Sequence, residues 1–253
     1  MATEKKIAVA GATGRLGAHT VEVLRERGHE LVPISRSTGV DVITGEGLGA
    51  ALEGVQVIID AATGPSPDEA AAIEFFSNAA GNLQRAGAER GVEEILAVSI
   101  IGTDHFHTGY YAGKVAHERV HREGPVPTRI LRASQFHEFV AELVIWGTQG
   151  DVSYVAEMRT QLVAARSVAE ALADLVDGAD GAPRGNPMSE VAGPREERLA
   201  EVAKLLVAKR GEGLEIREGE APDDPEGLWP AGALLPGPIA KLAGPTFEGW
   251  LNA

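Results

Sequence analysis

Short apolar runs alternate with amphipathic stretches along the first half of this chain. Residues 7–10, 31–35, 57–62, 95–100 and 128–131 read as strands. Between them, 16–27, a short 48–52, 70–90 and 114–122 carry helical spacing. Val57-Ile58-Ile59 is apolar without a break, the mark of a strand buried on both faces. Such strands alternating with helices predict a parallel sheet with right-handed crossovers. The fold class read from this order is α/β, a Rossmann-type doubly wound parallel sheet with a small C-terminal substrate lobe.

The pattern changes after residue 134. Residues 136–146 read as a helix and 161–165 as a strand. A helix over 166–176 puts Val168, Leu172, Leu175 and Val176 on one side. Another over 196–208 turns Leu199, Val202, Leu205 and Leu206 inward. The Pro/Gly-rich pieces 181–193 and 218–237 either cover a site or simply connect elements. No repeat or flexible linker divides the chain, so 1–253 is expected to be one domain. Its core would be about 5–134 plus 161–176. The lobe would be about 135–160 and 183–253, packed over the strand ends where ligands bind in such sheets.

Composition narrows the picture. With 253 residues, 44% of them hydrophobic, there is enough material for a buried core. The net charge of −14 speaks against nucleic-acid binding. The absence of cysteine excludes disulfides and thiol catalysis. No apolar run approaches the ~20 residues that span a bilayer, so no membrane association is expected. The N-terminus leads straight into the first strand and leaves no room for a signal peptide, which fits a cytoplasmic protein.

The turn after the first strand carries the strongest chemical signal. Gly11-Ala12-Thr13-Gly14-Arg15-Leu16-Gly17 joins a strand to a helix. Backbone N–H groups and a helix N-terminus meet there and suit a diphosphate, so Gly11, Thr13, Gly14, Arg15, Leu16 and Gly17 are candidate dinucleotide contacts. Ala61 and Ala62, after the third strand, leave room for a cofactor or for close helix–sheet packing. An acidic residue after the second strand would favour NAD(H). Arg36 stands there instead, between Ser35 and Ser37, with Arg15 nearby. A guanidinium can pair with a 2′-phosphate, which favours NADP(H) over NAD(H).

Tyr110 and Lys114 are four residues apart and share a helix face. An ammonium beside a phenol lowers its pKa and makes it a usable acid/base near neutrality. Ser99, at the end of the fourth strand, is placed to hydrogen-bond a substrate carbonyl. His105-Phe106-His107 has no third ligand at recognisable spacing, so no metal is expected. His117 and His121 read as surface or packing residues. Phe136 and His137 are candidate substrate contacts. Phe139, Trp146 and Trp229 fit either a pocket wall or the core.

These residues resemble the short-chain dehydrogenase/reductase superfamily, and more narrowly its atypical NmrA-like NAD(P)H-binding branch. The resemblance rests on Gly11, Gly14 and Gly17, on Arg36 and Ser99, on Tyr110-Tyr111-Ala112-Gly113-Lys114 with Glu118, and on Leu131-Arg132-Ala133-Ser134-Gln135-Phe136. It covers about residues 5–175. Ala133 stands where the family often has proline, and Ser167 where it often has aspartate. The resemblance implies an NADP(H)-dependent oxidoreductase that reduces a small carbonyl compound. Tyr110 would donate the proton, Lys114 would assist it and hold the cofactor, and Ser99 would orient the substrate. It also leaves open an NAD(P)H-sensing regulator acting through a protein partner, and a non-redox isomerase or epimerase. A monomer or a homodimer is expected.

Overall fold

In a computed structural model of the protein, residues 4–64, 66–179, 188–221, 224 and 226–253 are described. The chain runs β1 (Lys6–Ala10), α1 (Arg15–Glu26), β2 (Glu30–Ile34), α2 (Leu48–Ala51), β3 (Val57–Asp60), α3 (Glu69–Glu89), β4 (Glu94–Ile100), α4 (Gly109–Glu123) and β5 (Thr128–Ala133). It continues with α5 (Val140–Trp146), β6 (Thr148–Gln149), β7 (Val152–Ala156), β8 (Arg159–Thr160), α6 (Ala165–Asp177), β9 (Met188–Ala192), β10 (Glu197–Arg198) and α7 (Leu199–Arg210). The last elements are β11 (Glu215–Gly219), α8 (Leu228–Ala231), β12 (Lys241–Leu242) and α9 (Phe247–Leu251).

The main sheet has seven strands in the order β12-β9-β5-β4-β3-β1-β2. β1 pairs in parallel with β2 on one side and β3 on the other, and β3 pairs in parallel with β4. The strand order therefore reverses between β1 and β3. The crevice beyond the carboxyl ends of the strands at such a reversal is where doubly wound sheets bind ligands. The Rossmann-type α/β architecture read from the sequence is the one observed.

The chain divides into two compact units. The first comprises Met1–Ser99, Phe106–Arg132 and Val168–Ser189. Its core is made by the strands' apolar faces: Ile7, Ile58, Ile59, Ile95 and Leu96 are fully buried, each contributing roughly 2 kcal/mol. Asp68 caps α3 by accepting from Ala71 N at 3.0 Å. α3 and α4 lie close together, because a Cβ at Gly113 would press on Ala72.

The second unit comprises Ile100–His105, Ala133–Ser167 and Glu190–Ala253. It holds a three-stranded sheet in the order β11-β7-β6 and the antiparallel pair β8–β10. Several expectations fail here. Residues 161–165 form no strand; a single bridge joins Phe136 to Val163. The Pro/Gly-rich stretch 181–193 lies outside the described residues over 180–187, and from Met188 it is strand β9, with Val191 and Ala192 fully buried. Pro222, Asp223 and Pro225, in the other such stretch, also lie outside the described residues. Within α7, Leu199, Val202 and Leu206 are buried as expected but Leu205 is 38% exposed, since the four positions span more than one helix face. Trp146, at the C-terminal end of α5, is 66% exposed and so lies outside the core.

Candidate cofactor and catalytic site

The turn after β1 is held by backbone alone. Gly11 N and Ala12 N both donate to Ile34 O at the end of β2, at 3.0 and 3.3 Å, and Gly14 N donates to Gly11 O at 2.9 Å. Gly11 has φ of +75°, and a Cβ there would lie 2.7 Å from Ala61 O. A Cβ at Gly17 would collide with the Gly11 carbonyl. Side chains are thus excluded where the backbone must come close. α1 starts at Arg15 with Gly14 as its N-cap, and no side chain caps it. An uncapped helix N-terminus beside a glycine turn, at the reversal of the sheet, fits the diphosphate of a dinucleotide. Thr13 is exposed in that turn, and Leu16, the second residue of α1, is buried. Ala61 and Ala62 serve close packing against Gly11, and Ala61 N donates to Ala10 O at 3.1 Å.

Arg36 opens a single 3-10 turn, Arg36–Thr38, beyond β2. It is exposed and makes no ion pair with a described residue. Ser35 Oγ and Ser37 Oγ share a hydrogen bond of 2.8 Å beside it. Asp41 is used locally, accepting from Ile43 N at 2.7 Å.

Tyr110 and Lys114 lie on α4 as expected, but they do not act on each other as expected. The Tyr110 hydroxyl shares a 2.9 Å hydrogen bond with Thr63 Oγ1, and its ring meets Phe76 edge-on at 5.5 Å. Lys114 turns inward. Its Nζ donates to Val98 O at 2.7 Å and to His117 Nδ1 at 3.2 Å, and lies 4.3 Å from the centre of the Phe76 ring. Burial lowers the Lys114 pKa to about 8 against the charges of Asp60 and Glu118. Burial also raises the Tyr110 phenol above its ordinary value, with the Thr63 hydrogen bond opposing it. The expected lowering of the phenol by Lys114 is not seen: burial raises it, and the ammonium is bonded to Val98 O and His117 instead. Tyr110 stays protonated near neutrality, as a proton donor must. Ser99 is buried in β4 and its Oγ has no well-formed hydrogen bond.

His117 and His121 are not surface residues. Both are fully buried, and their Nε2 atoms lie 2.8 and 3.0 Å from Asp60 Oδ2. The other Asp60 oxygen accepts from Ala62 N at 3.0 Å. Gln84 Nε2 donates to His121 Nδ1 at 3.3 Å and to Thr128 Oγ1 at 2.9 Å. Burial pushes the Asp60 carboxyl up, but His117 and His121 outweigh it and hold it well below the usual carboxylate range. Burial, with the Lys114 charge, lowers His117 to about 4. One turn along α4, Arg132 Nε and Nη2 grip Glu118 at 2.8 Å each.

Asp60, His117 and His121 are close enough together to bracket a metal ion. Their outer partners argue otherwise. A metal-bound histidine normally donates its second N–H to an acceptor. Here Nδ1 of His117 faces an ammonium and Nδ1 of His121 faces the Gln84 amide, both donors. Each Nε2 therefore carries its proton and donates it to Asp60, closing a hydrogen-bonded network. Among the described residues no such grouping forms around His105 and His107, which are exposed; Phe106 stacks on Tyr111 at 4.4 Å.

In the second unit, Phe136 is half-buried and His137 is 1% exposed. His137 Nε2 donates to Leu162 O at 3.0 Å, and the ring packs on Phe247 and Trp250. Burial lowers its pKa to about 4. His137 Nδ1, Ser134 Oγ and Gln135 Nε2 have no hydrogen-bond partner among the described residues. Phe139 packs edge-on against Trp146, and Trp229 is buried.

No family model and no curated protein matches the chain. Solved structures do match. The NAD-dependent NDP-hexosamine 5,6-dehydratase TunA, involved in tunicamycin biosynthesis, superimposes with a TM-score of 0.72 at 14% identity, over 98% of this chain and 96% of that one. The UDP-N-acetylglucosamine 4-epimerase from Bacillus cereus does so with a TM-score of 0.70 at 16% identity, over 98% and 94%. The GDP-mannoheptose C4 reductase from Campylobacter jejuni with NADP bound gives 0.66 at 14% identity, over 87% and 88%. The fold is the one these enzymes share. The first depends on NAD and the third binds NADP, and the three are a dehydratase, an epimerase and a reductase. Among the described residues no helix is long and apolar enough to cross a membrane.

Proposed function

We propose that this protein is an NAD(P)(H)-dependent oxidoreductase of the short-chain dehydrogenase/reductase kind, with NADP(H) preferred, acting on the carbonyl group of a small molecule. The observation that carries the reading is the glycine turn Gly11–Gly17, closed to a Cβ at Gly11 and Gly17 and opening an uncapped helix at the reversal of the sheet. The bound nucleotide supplies hydride chemistry. Gly11, Thr13, Gly14, Leu16 and Gly17 hold its diphosphate, and Arg36, with Ser35 and Ser37, receives the 2′-phosphate. Tyr110 gives its proton to the carbonyl oxygen. Ser99 Oγ, which lies by the Glu118 carboxylate, steadies that oxygen. His137 Nδ1 accepts a hydrogen bond from a substrate hydroxyl or amide, and Phe136 lies beside it. Lys114 acts as a buried structural cation. The NmrA-like placement rests on the Tyr110–Lys114 stretch and on Arg132–Phe136. The protein works on a small-molecule substrate, as a monomer or homodimer in the cytoplasm, apart from nucleic acid and membranes.

The test is a parallel titration with NADPH and NADH followed by nicotinamide fluorescence, with Arg36→Ala beside the wild type. Tight NADPH binding that weakens selectively in the variant supports the reading; no binding of either nucleotide sinks it. A screen of small carbonyl compounds and 4-keto sugar nucleotides follows. A second reading, an epimerase that returns its hydride, is favoured by the likeness to the Bacillus cereus enzyme. It predicts product formation with no net change in nicotinamide absorbance.

A further inference from the structure

We propose that Thr63 is a second catalytic hydroxyl, which returns a proton from solvent to Tyr110 after each transfer. The inference rests on the reading of Tyr110 as the proton donor. Its basis is geometric. The two hydroxyls share a hydrogen bond of 2.9 Å in which either oxygen can donate. Tyr110 is partly buried against Phe76, whereas Thr63 is exposed. Thr63 therefore connects a shielded phenol to water. Lys114 offers no such route, since its ammonium is committed to Val98 O and His117 Nδ1 inside the protein.

The contact is built from two sides by one carboxylate. Asp60 Oδ1 accepts from Ala62 N and so fixes the turn that carries Thr63. Asp60 Oδ2 accepts from His117 and His121, on the helix that carries Tyr110. Asp60 is thus the positioning residue of the pair. The charged and titratable groups around Tyr110 are Asp60 on β3, Lys114 and His117 on α4, and Glu69 on α3, which accepts from Gly109 N at 2.9 Å. None of them bonds the phenol itself.

The proton count balances. The Tyr110 O–H bond breaks as its proton forms the new O–H bond of the product alcohol. The phenolate then takes the Thr63 hydroxyl proton as Thr63 takes one from a water molecule, and the hydroxide left behind is neutralised by a proton from bulk solvent, so each carbonyl reduced consumes one solvent proton. The protein ends each cycle in its starting state, and the hydride comes from the reduced nicotinamide of the reading above.

The experiment follows Tyr110 directly. The chain has three tyrosines, so a Tyr111→Phe, Tyr154→Phe background labelled with carbon-13 at tyrosine Cζ reports Tyr110 alone. In that background Thr63→Val raises the Tyr110 titration midpoint, weakening its acidity roughly fivefold to tenfold, and Thr63→Ser restores it. In turnover, Thr63→Val lowers kcat and moves the alkaline limb of the pH profile upward, with KM for the nucleotide unchanged; serine again rescues. An unchanged titration in Thr63→Val overturns the proposal, and so does a shifted titration with unchanged kcat. Failure of the underlying reading shows separately, as wild-type protein that binds no nucleotide or turns over no carbonyl compound while its Tyr110 titration still responds to Thr63→Val.

Discussion

Two sets of buried polar groups in this chain are treated in opposite ways. In the first unit, both Asp60 oxygens, both nitrogens of His117 and His121, and the Gln84 amide all have partners. In the second unit, Ser134 Oγ, Gln135 Nε2 and His137 Nδ1 have none. An unpaired buried polar atom costs about 1–3 kcal/mol, and a paired one in low dielectric is correspondingly costly to disturb. The first set is spent on holding β3 to α4. The second retains hydrogen-bonding capacity, which is what a substrate contact requires. The comparison explains why one histidine pair is structural and why the lone His137 is the better ligand candidate.

The largest test of that comparison is pH, because each set contains a buried histidine whose pKa is lowered. His117 and His137 both fall from 6.5 to about 4. A histidine with a lowered folded value binds fewer protons folded than unfolded. Its contribution is therefore complete above about pH 6.5 and is lost as pH falls toward 4. Each is expected to cost on the order of 3 kcal/mol across that window. Urea midpoints measured from pH 7 to 4 should fall steeply, and His117→Gln or His137→Gln should each flatten part of the slope. A flat profile in the wild type would mean the histidines are already charged when folded.

Next in size is Asp60→Ala. It leaves two buried histidine N–H groups without their acceptor and removes the negative charge that helps to hold the Lys114 ammonium. A loss of about 3–5 kcal/mol in equilibrium urea unfolding is expected. The matching change in the second unit is Ser134→Ala, which removes a hydroxyl that has no partner. Its stability should stay within about 1 kcal/mol of wild type, or rise. Equal losses in the two variants would erase the distinction between the sets.

The sequence carried the signals that are local. The turn 11–17 is readable because Gly11 takes a positive φ and Gly17 stands where the Gly11 carbonyl forbids a Cβ. The strands β1, β3 and β4 are readable because burial on both faces demands continuous apolar runs. The four-residue spacing of His117 and His121 is also visible, and it puts both on one helix face. What they face is not visible, since Asp60 comes from a strand and is brought to them only by the packing of α4. The same is true of Lys114: spacing pairs it with Tyr110, and tertiary structure gives it to Val98 O and His117 instead. Strand β9 was hidden because Met188-Ser189-Glu190 lacks strand-like alternation and only Val191 and Ala192 are buried.

The smallest effect on stability should come from the residue with the sharpest functional consequence. Arg36 is exposed and makes no ion pair with a described residue. Arg36→Ala should leave unfolding within about 0.5 kcal/mol of wild type. Its effect should appear only in nucleotide affinity. A guanidinium hydrogen bond to a phosphate contributes roughly 1.5–3 kcal/mol, so NADPH binding should weaken by at least tenfold while NADH binding stays near its wild-type value. Paired fluorescence titrations of the two nucleotides read this directly. Equal weakening of both would place Arg36 on the part of the nucleotide they share and remove the argument for NADP(H). No change in either would return Arg36 to the solvated surface. The glycine turn would then have to account for binding alone, which its uncapped helix start is built to do.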